Sequence, residues 1–250
     1  MRTIGLIGGM SWYSTAEHYR VINEDVQERL GGHHSADLLV HSLDFAAIRR
    51  CQVEGDWARA GTILAASAQA LAGAGAQLLV LATNLMHKAA PAIEEAVPVP
   101  FLHIADAVAQ EAARLGAHRI GLLGTRPVLE ERFYVDRLAR HGIDTIVPDA
   151  PTRARLDELI FGELTVGAVR PETRDELAAT VRRLADEGAQ AVALACTELE
   201  LAVPEASSPV PVIATARTHA HRAVELALAA EPALRSPQPR SPQPRSPQPR

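Results

Sequence analysis

The sequence predicts an α/β protein of two similar lobes, each a parallel sheet flanked by helices. Short apolar runs alternate with segments typical of helices along most of the chain, as in sheets that are buried between helical layers. A Gly-flanked apolar run occurs twice, as GLIGG from Gly5 and as GLLGT from Gly121. Thr83 lies 78 residues after Gly5, and Cys196 lies 75 residues after Gly121. We therefore expect two lobes related by pseudo-twofold symmetry, with the active site in the cleft between them.

In the first lobe, apolar runs predict the strands, and glycines mark the ends of the helices. Ser11 and Ser14 are candidate N-caps of the first helix, which Gly31 and Gly32 are expected to end. The predicted strands are 3–9, 37–43 and 77–82. The predicted helices run to about residue 30 and over 56–72 and 84–96.

The boundary between the lobes is predicted at Pro98 and Pro100, which interrupt the chain. Residues 1–98 are assigned to the first lobe and residues 99–209 to the second. The second lobe has predicted strands at 119–123, 143–147 and 189–195 and predicted helices at 105–115, 127–140, 155–164 and 171–187. The last strand, 210–214, and the last helix, 216–229, are expected to return to the first lobe.

Composition and charge argue against some classes of function. Of the 250 residues, 47% are hydrophobic and 22% charged, which suits one or two domains with a large core. No apolar run approaches the length of a membrane span, and the N-terminus has no signal-peptide pattern, so a cytoplasmic protein without a membrane partner is expected. The formal net charge of −5 argues against nucleic acid as a partner.

The C-terminal segment differs from the rest of the chain. Residues 236–250 are the sequence SPQPR three times over. A proline-rich repeat without apolar residues cannot bury a core, so residues 231–250 are predicted to form a disordered tail.

Two apolar runs end in side chains with acid/base or nucleophile chemistry. The run from Leu78 ends at Thr83, and the run from Val192 ends at Cys196. Open α/β sheets bind ligands beyond the carboxyl ends of their strands, next to helix N-termini. A thiol at a helix N-terminus has a pKa below about 8.5, so Cys196 is a candidate base. Alternatively, such a cysteine is only a small buried apolar side chain, and such a threonine only a helix cap.

Six separated segments form a specific pattern: GLIGGMSWYST at 5–15, GGHHSADLLVHSLDF at 31–45, TNLMHK at 83–88, LHIADA at 102–107, GLLGTR at 121–126 and ACTEL at 195–199. In order and spacing they resemble the PLP-independent aspartate/glutamate racemases of the Asp/Glu/hydantoin racemase superfamily. That family has a cysteine in each of two motifs, CNTxH and GCTE. Here Cys196 keeps the second cysteine, whereas Thr83, four residues before His87, stands in the first position.

The resemblance implies a cofactor-independent enzyme that racemises aspartate and/or glutamate with one acid/base group on each face of Cα. In the family, the first-lobe cysteine works on the D enantiomer and the second-lobe cysteine on the L enantiomer. Because a threonine hydroxyl is far less acidic than a thiol, we expect an L-selective enzyme. Family members are commonly dimers, so the resemblance is also compatible with a homodimer. The implied catalytic residues are Thr83 and Cys196, and the implied substrate-binding residues are Met10, Gln52, Asn84, Leu85, Thr197 and Glu198.

Several other residues have more than one interpretation. Arg49 and Arg50 either pair with a distal carboxylate of the substrate or form a solvated helix face. In many family members a lysine stands where this chain has Thr165, so that carboxylate contact lacks a cation here. His87 is expected to order its own turn rather than to move protons. Cys51 lies outside the family's cysteine positions and is expected to be structural.

Other functions stay open. The run GLIGGMS lacks the G-x-G-x-x-G spacing of a dinucleotide loop, and the ten histidines show no convincing metal-ligand spacing, so no metal is proposed. A rival within the superfamily is a single-cysteine decarboxylase or isomerase. From a different class, the chain could be a degenerate amino-acid-binding protein. In D2O a racemase labels an amino acid at Cα, a decarboxylase requires a malonate, and a binding protein labels nothing.

Overall fold

The two lobes contain two four-stranded parallel sheets with the same strand order. A computed structural model of the chain describes residues 1–203 and 205–229, and the predicted tail at 231–250 lies outside this described part. The strands of the first sheet are β1 (Ile4–Gly8), β2 (Leu38–Ser42), β3 (Leu78–Leu81) and β4 (Phe101–Leu102), in the order β2-β1-β3-β4. The strands of the second are β5 (Arg119–Gly124), β6 (Asp144–Ile146), β7 (Ala191–Ala195) and β8 (Val212–Ala214), in the order β6-β5-β7-β8. The predicted α/β class with two repeated sheets is confirmed.

Helices flank both sheets. Among the described residues, no helix combines the length and the apolar character that crossing a membrane requires. Within the described part of the chain, three short 3-10 helices lie at Leu85–Ala89, Leu164–Val166 and Glu205–Ser207. The α-helices are α1 (Trp12–Leu30), α2 (Phe45–Glu54), α3 (Trp57–Gly73), α4 (Ala90–Ala96), α5 (Ile104–Arg114), α6 (Arg126–Glu130), α7 (Arg132–Arg140), α8 (Ala150–Gly162), α9 (Pro171–Asp186), α10 (Thr197–Ala202) and α11 (Thr215–Leu228).

The first glycine of each repeated motif allows close packing on a central strand. A Cβ atom at Gly5 in β1 would lie 2.8 Å from Ala76 Cβ and 3.3 Å from Leu71 Cβ of α3. A Cβ atom at Gly121 in β5 would lie 2.9 Å from Leu184 Cδ1 of α9. Since real Cβ atoms do not approach so closely, these two glycines serve packing of the lobes rather than contact with a ligand.

The sheet registers put Thr83 and Cys196 at equivalent strand ends. The third residue of the first glycine motif pairs with Leu81, and the third residue of the second motif pairs with Leu194. Thr83 and Cys196 each follow two residues after these partners. The near-equal spacing in the sequence therefore reflects the same position in two copies of one topology.

The last strand belongs to the second sheet, so the prediction that residues 210–214 return to the first lobe is wrong. β8 pairs in parallel with β7, because the open edge of β7 is free to take the next strand of the chain. β4 likewise pairs with β3, and the first sheet extends beyond the predicted boundary at residue 98. Helix α11 does lie against first-lobe elements, since Ala220 and Val224 share a buried cluster with Ile4 and Ile22.

Several helices depart from the prediction. Helix α2 was not predicted, although Asp44 caps it by accepting a hydrogen bond from Ala46 N and Gly55 ends it in the left-handed conformation. The predicted helix 127–140 is two helices, because the backbone of Glu131 is extended. The helix N-terminus expected at Cys196 is present, but the helix that follows it, α10, is only six residues long.

Candidate active site

A cavity of about 470 Å³ lies between the two lobes, at the carboxyl ends of the central strands. Side chains from both lobes line it, from the ends of β1 and β3 on one side and of β5 and β7 on the other. The structure brings all eight residues predicted from the sequence into this lining, and their individual roles stay predictions: Met10, Gln52, Thr83, Asn84, Leu85, Cys196, Thr197 and Glu198.

The turn that carries Thr83 is held by a buried histidine. His87 Nδ1 donates to the backbone oxygen of Thr83 at 2.7 Å, and His87 Nε2 accepts from the backbone N–H of Ile104 at 3.1 Å. Burial lowers the pKa of His87 well below its usual value, with a further contribution from His103. Because both ring nitrogens are engaged and the ring is neutral, His87 orders the turn and does not activate the threonine hydroxyl.

The amide of Asn84 is fixed by residues outside the first lobe's sheet. Tyr134 OH donates to Asn84 Oδ1 at 3.2 Å, and Asn84 Nδ2 lies 3.1 Å from Thr215 Oγ1. Thr215 Oγ1 in turn donates to the backbone oxygen of Leu194 at 2.8 Å. One N–H of the Asn84 amide is therefore used within the protein, and the amide lies in the lining of the cavity.

Cys196 follows β7, is the N-cap residue of α10 and is 8% exposed. Its Sγ donates to Glu198 Oε2 at 3.0 Å. Burial raises the pKa of the Cys196 thiol well above its usual value, and the neighbouring Glu198 carboxylate raises it further. The sequence-based expectation of a lowered pKa is therefore wrong, because a one-turn helix and its N–H groups do not outweigh burial and an adjacent anion.

A hydrogen-bond chain connects this thiol to the first lobe. Glu198 Oε2 also accepts from Thr197 Oγ1 at 2.8 Å. Ser14 Oγ, at the start of α1, lies 2.9 Å from Thr197 Oγ1. Since the Thr197 hydroxyl proton goes to Glu198, Ser14 is the donor in this contact. The carboxylate beside Cys196 is thus oriented by both lobes.

The mouth of the cavity contains side chains that the sequence analysis did not single out. Trp12, Tyr13, Phe45 and Phe161 line it and are exposed to solvent. The first two belong to the motif GLIGGMSWYST, so their position was available from the sequence. Exposed aromatic side chains around a cleft are typical of a ligand-binding opening.

Arg49 also lines the mouth, whereas Arg50 does not. Arg49 Nη1 donates to Gln52 Oε1 at 3.2 Å, and Gln52 Nε2 donates to Met86 Sδ at 3.2 Å. Thr165 lines the cavity with a neutral side chain.

Cys51 lies apart from this site. It is buried in the first-lobe core and does not line the cavity. Among the described residues, no group of three or more His, Cys, Asp or Glu side chains is arranged to hold a metal ion.

Comparison with known proteins identifies the family. The sequence profile of the Asp/Glu/Hydantoin racemases matches residues 7–223. The chain belongs to the Asp/Glu/hydantoin racemase family. Among solved structures, this family member is similar to a candidate Asp/Glu racemase from Yersinia pestis, with 43% identity, a TM-score of 0.88, and coverage of 91% of this chain and 100% of that one.

Two further solved structures are similar in fold to this racemase-family member. An aspartate racemase homologue from Pyrococcus horikoshii OT3 is 31% identical over 91% of this chain and 100% of that one, with a TM-score of 0.83. A variant of arylmalonate decarboxylase is only 15% identical, with a TM-score of 0.54 and coverage of 92% and 94%. That last likeness concerns the fold alone, so the fold by itself does not separate racemisation from decarboxylation.

Proposed function

We propose that the protein is a racemase for aspartate and/or glutamate that requires no cofactor and prefers L enantiomers. The observation that carries the proposal is that Thr83 and Cys196, from opposite lobes and at equivalent strand ends, line one cavity. Racemisation by two bases requires one acid/base group on each face of Cα. Membership of the racemase family supports the same reaction class.

Cys196 is the base for the L enantiomer. At rest it is a thiol that donates to the Glu198 carboxylate. When substrate binds, the thiol proton passes to that carboxylate, and the thiolate removes the α-proton of the L amino acid. The electron pair of the broken C–H bond stays on the substrate as a carbanion, and the thiol is formed again. When the D product forms, Glu198 releases the proton that it accepted to solvent.

Thr83 faces the opposite side of the carbanion in this mechanism. Its hydroxyl delivers a proton to Cα to give the D product, and the threonine recovers a proton from solvent. The reverse reaction requires Thr83 to remove a proton, which a hydroxyl without an activating base does poorly. Exchange of the α-proton of L substrates is therefore fast, and net racemisation is slow.

The substrate carboxylates meet donors at both strand ends. The first N–H groups of a helix have no partner within it, so those after Thr83 and Cys196 are suited to the α-carboxylate, together with the Asn84 amide and the Thr197 hydroxyl. Arg49 is the partner of the distal carboxylate, which favours acidic amino acids. The remaining predicted substrate contacts are Met10, Gln52 and Leu85.

A single-cysteine decarboxylase is the second candidate. Cys196 is the one cysteine that lines the cavity in the described part of the chain, and the fold is shared with an arylmalonate decarboxylase. Such an enzyme would use Cys196 to protonate an enolate-like intermediate after loss of CO2.

Deuterium wash-in at Cα tests the proposal. The protein is incubated in D2O with each enantiomer of aspartate and glutamate, and label is measured by NMR, with Cys196→Ala as the inactive variant and Cys51→Ala as the matched control. We expect label in L substrates for wild type and Cys51→Ala and none for Cys196→Ala. Release of CO2 from a substituted malonate without any labelling of amino acids would support the decarboxylase instead.

A further inference from the structure

The side-chain carboxylate of an acidic substrate can pair with one cationic side chain of the cavity lining. Arg49 is the sole arginine or lysine among the lining side chains, taken over residues 1–203 and 205–229. Thr165, which also lines the cavity, is neutral, and its hydroxyl donates to the backbone oxygen of Phe161 at 3.1 Å. Recognition of an acidic side chain therefore depends on where the guanidinium of Arg49 is held.

Two contacts hold that guanidinium at the mouth of the cavity. Gln52 accepts a hydrogen bond from Arg49 Nη1 within α2. From the second lobe, the ring of Phe161 on α8 lies under the guanidinium, with 5.7 Å between Arg49 Cζ and the ring centroid. A cation at this distance is attracted by the negative face of an aromatic ring.

The exposure of Phe161 is consistent with a role for its ring face. The residue is 49% exposed at the end of α8, although burial would be favourable for so large an apolar side chain. Arg49 is long and itself exposed, so without the ring it would sample many rotamers away from the cavity.

We propose that Phe161 is a positioning residue for acidic-substrate specificity, because its ring holds the Arg49 guanidinium over the cavity where the distal carboxylate binds. The proposal rests on the proposed racemase function and on Arg49 as the carboxylate partner. The contact joins α2 of the first lobe to α8 of the second, so selection for an acidic side chain requires both lobes.

The test compares L-glutamate with its neutral isostere L-glutamine. α-Proton exchange is measured for wild type, Phe161→Leu, Phe161→Tyr and Phe45→Leu, the last a matched control because Phe45 also lines the mouth. We expect Phe161→Leu to raise KM for L-glutamate about two- to fivefold with little change in kcat, and to leave KM for L-glutamine unchanged. Phe161→Tyr keeps the ring and should therefore keep the wild-type KM for L-glutamate. Phe45→Leu should keep the preference for L-glutamate over L-glutamine.

An equal rise in KM for both substrates, or the same loss of preference in Phe45→Leu, would overturn the proposal. Calorimetric titration tests the role of Phe161 even if the protein is not a racemase, because binding needs no turnover. Glutarate, a dicarboxylate without an amino group, should bind Phe161→Leu more weakly than wild type, while its monoamide binds both equally. Unchanged glutarate affinity, or no glutarate binding to wild type, would also overturn it.

Discussion

Cys196 Sγ and Glu198 Oε2 are 3.0 Å apart, and the thiol donates its proton to the carboxylate. In the proposed mechanism, this contact lets a buried thiol with a raised pKa act as a base. The proton does not have to leave for solvent, since its acceptor is already in place and is oriented by Thr197. The proposed base of the second lobe is therefore a thiol–carboxylate pair rather than a free thiolate.

Replacing Glu198 by glutamine should make the thiol more acidic and the enzyme slower. The substitution removes the negative charge that raises the pKa of Cys196, and it also removes the proton acceptor. We expect the pH at which iodoacetamide alkylates Cys196 to fall, while α-proton exchange at pH 7 drops by about tenfold or more. Mass spectrometry in a Cys51→Ala background measures the alkylation.

Glu200 provides the matched control for this experiment. It lies on the same helix, but its carboxylate accepts from the backbone N–H of Ala216 instead of contacting the thiol. Glu200→Gln should leave the alkylation profile of Cys196 unchanged. An identical shift in both variants would mean that the effect is not specific to the Cys196–Glu198 contact.

The pH dependence of exchange should also change with Glu198. In wild type the proton moves within the pair, so the rate for L substrates is expected to be flat between pH 7 and pH 9 despite the raised pKa of Cys196. In Glu198→Gln the thiol must ionise into solvent, so the rate should rise with pH until the thiol titrates. Wild-type exchange that climbs about tenfold per pH unit over this range would argue against proton transfer within the pair.

Acid should destabilise the fold through its buried histidines. Burial lowers the pKa of His18, His87 and His219, and it lowers that of His103 to about 3. The unfolded chain binds protons on these rings below about pH 6.5, whereas the folded chain does not, so the free energy of unfolding falls as pH drops below that value. Each ring contributes up to about 1.4 kcal/mol per pH unit.

Urea unfolding at pH 7.5 and pH 5.5 measures this loss. His219→Gln, which keeps a donor for the backbone oxygen of Leu102, should lose less stability between the two pH values than wild type. His34→Gln, at an exposed position, should behave like wild type. An equal loss of stability between pH 7.5 and pH 5.5 in all three proteins would contradict the assignment of this loss to the buried histidines.

The sequence predicted the repeated sheets and the residues that line the cavity at the strand ends, because buried parallel strands give strong apolar runs. It failed for β8, since strand pairing depends on which sheet edge is free rather than on residues 212–214 themselves. It also failed for the protonation of Cys196, because a helix N-terminus is visible in the pattern whereas burial beside Glu198 is a tertiary property. The contact of Arg49 with Phe161 could not be predicted, as 112 residues separate them in the chain.

The assignment of Thr83 and Cys196 to opposite faces of Cα is tested most directly by the ratio of deuterium wash-in rates for D- and L-glutamate. This ratio is measured for wild type and Thr83→Cys. Wild type should label the L enantiomer much faster than the D enantiomer, because only the second-lobe strand end carries a thiol. Thr83→Cys should raise the D rate by about tenfold or more while the L rate changes little, since a second thiol then faces the other side of Cα. Similar D and L rates in wild type, or no gain on the D enantiomer in Thr83→Cys, would contradict the assignment of Thr83 and Cys196 to opposite faces.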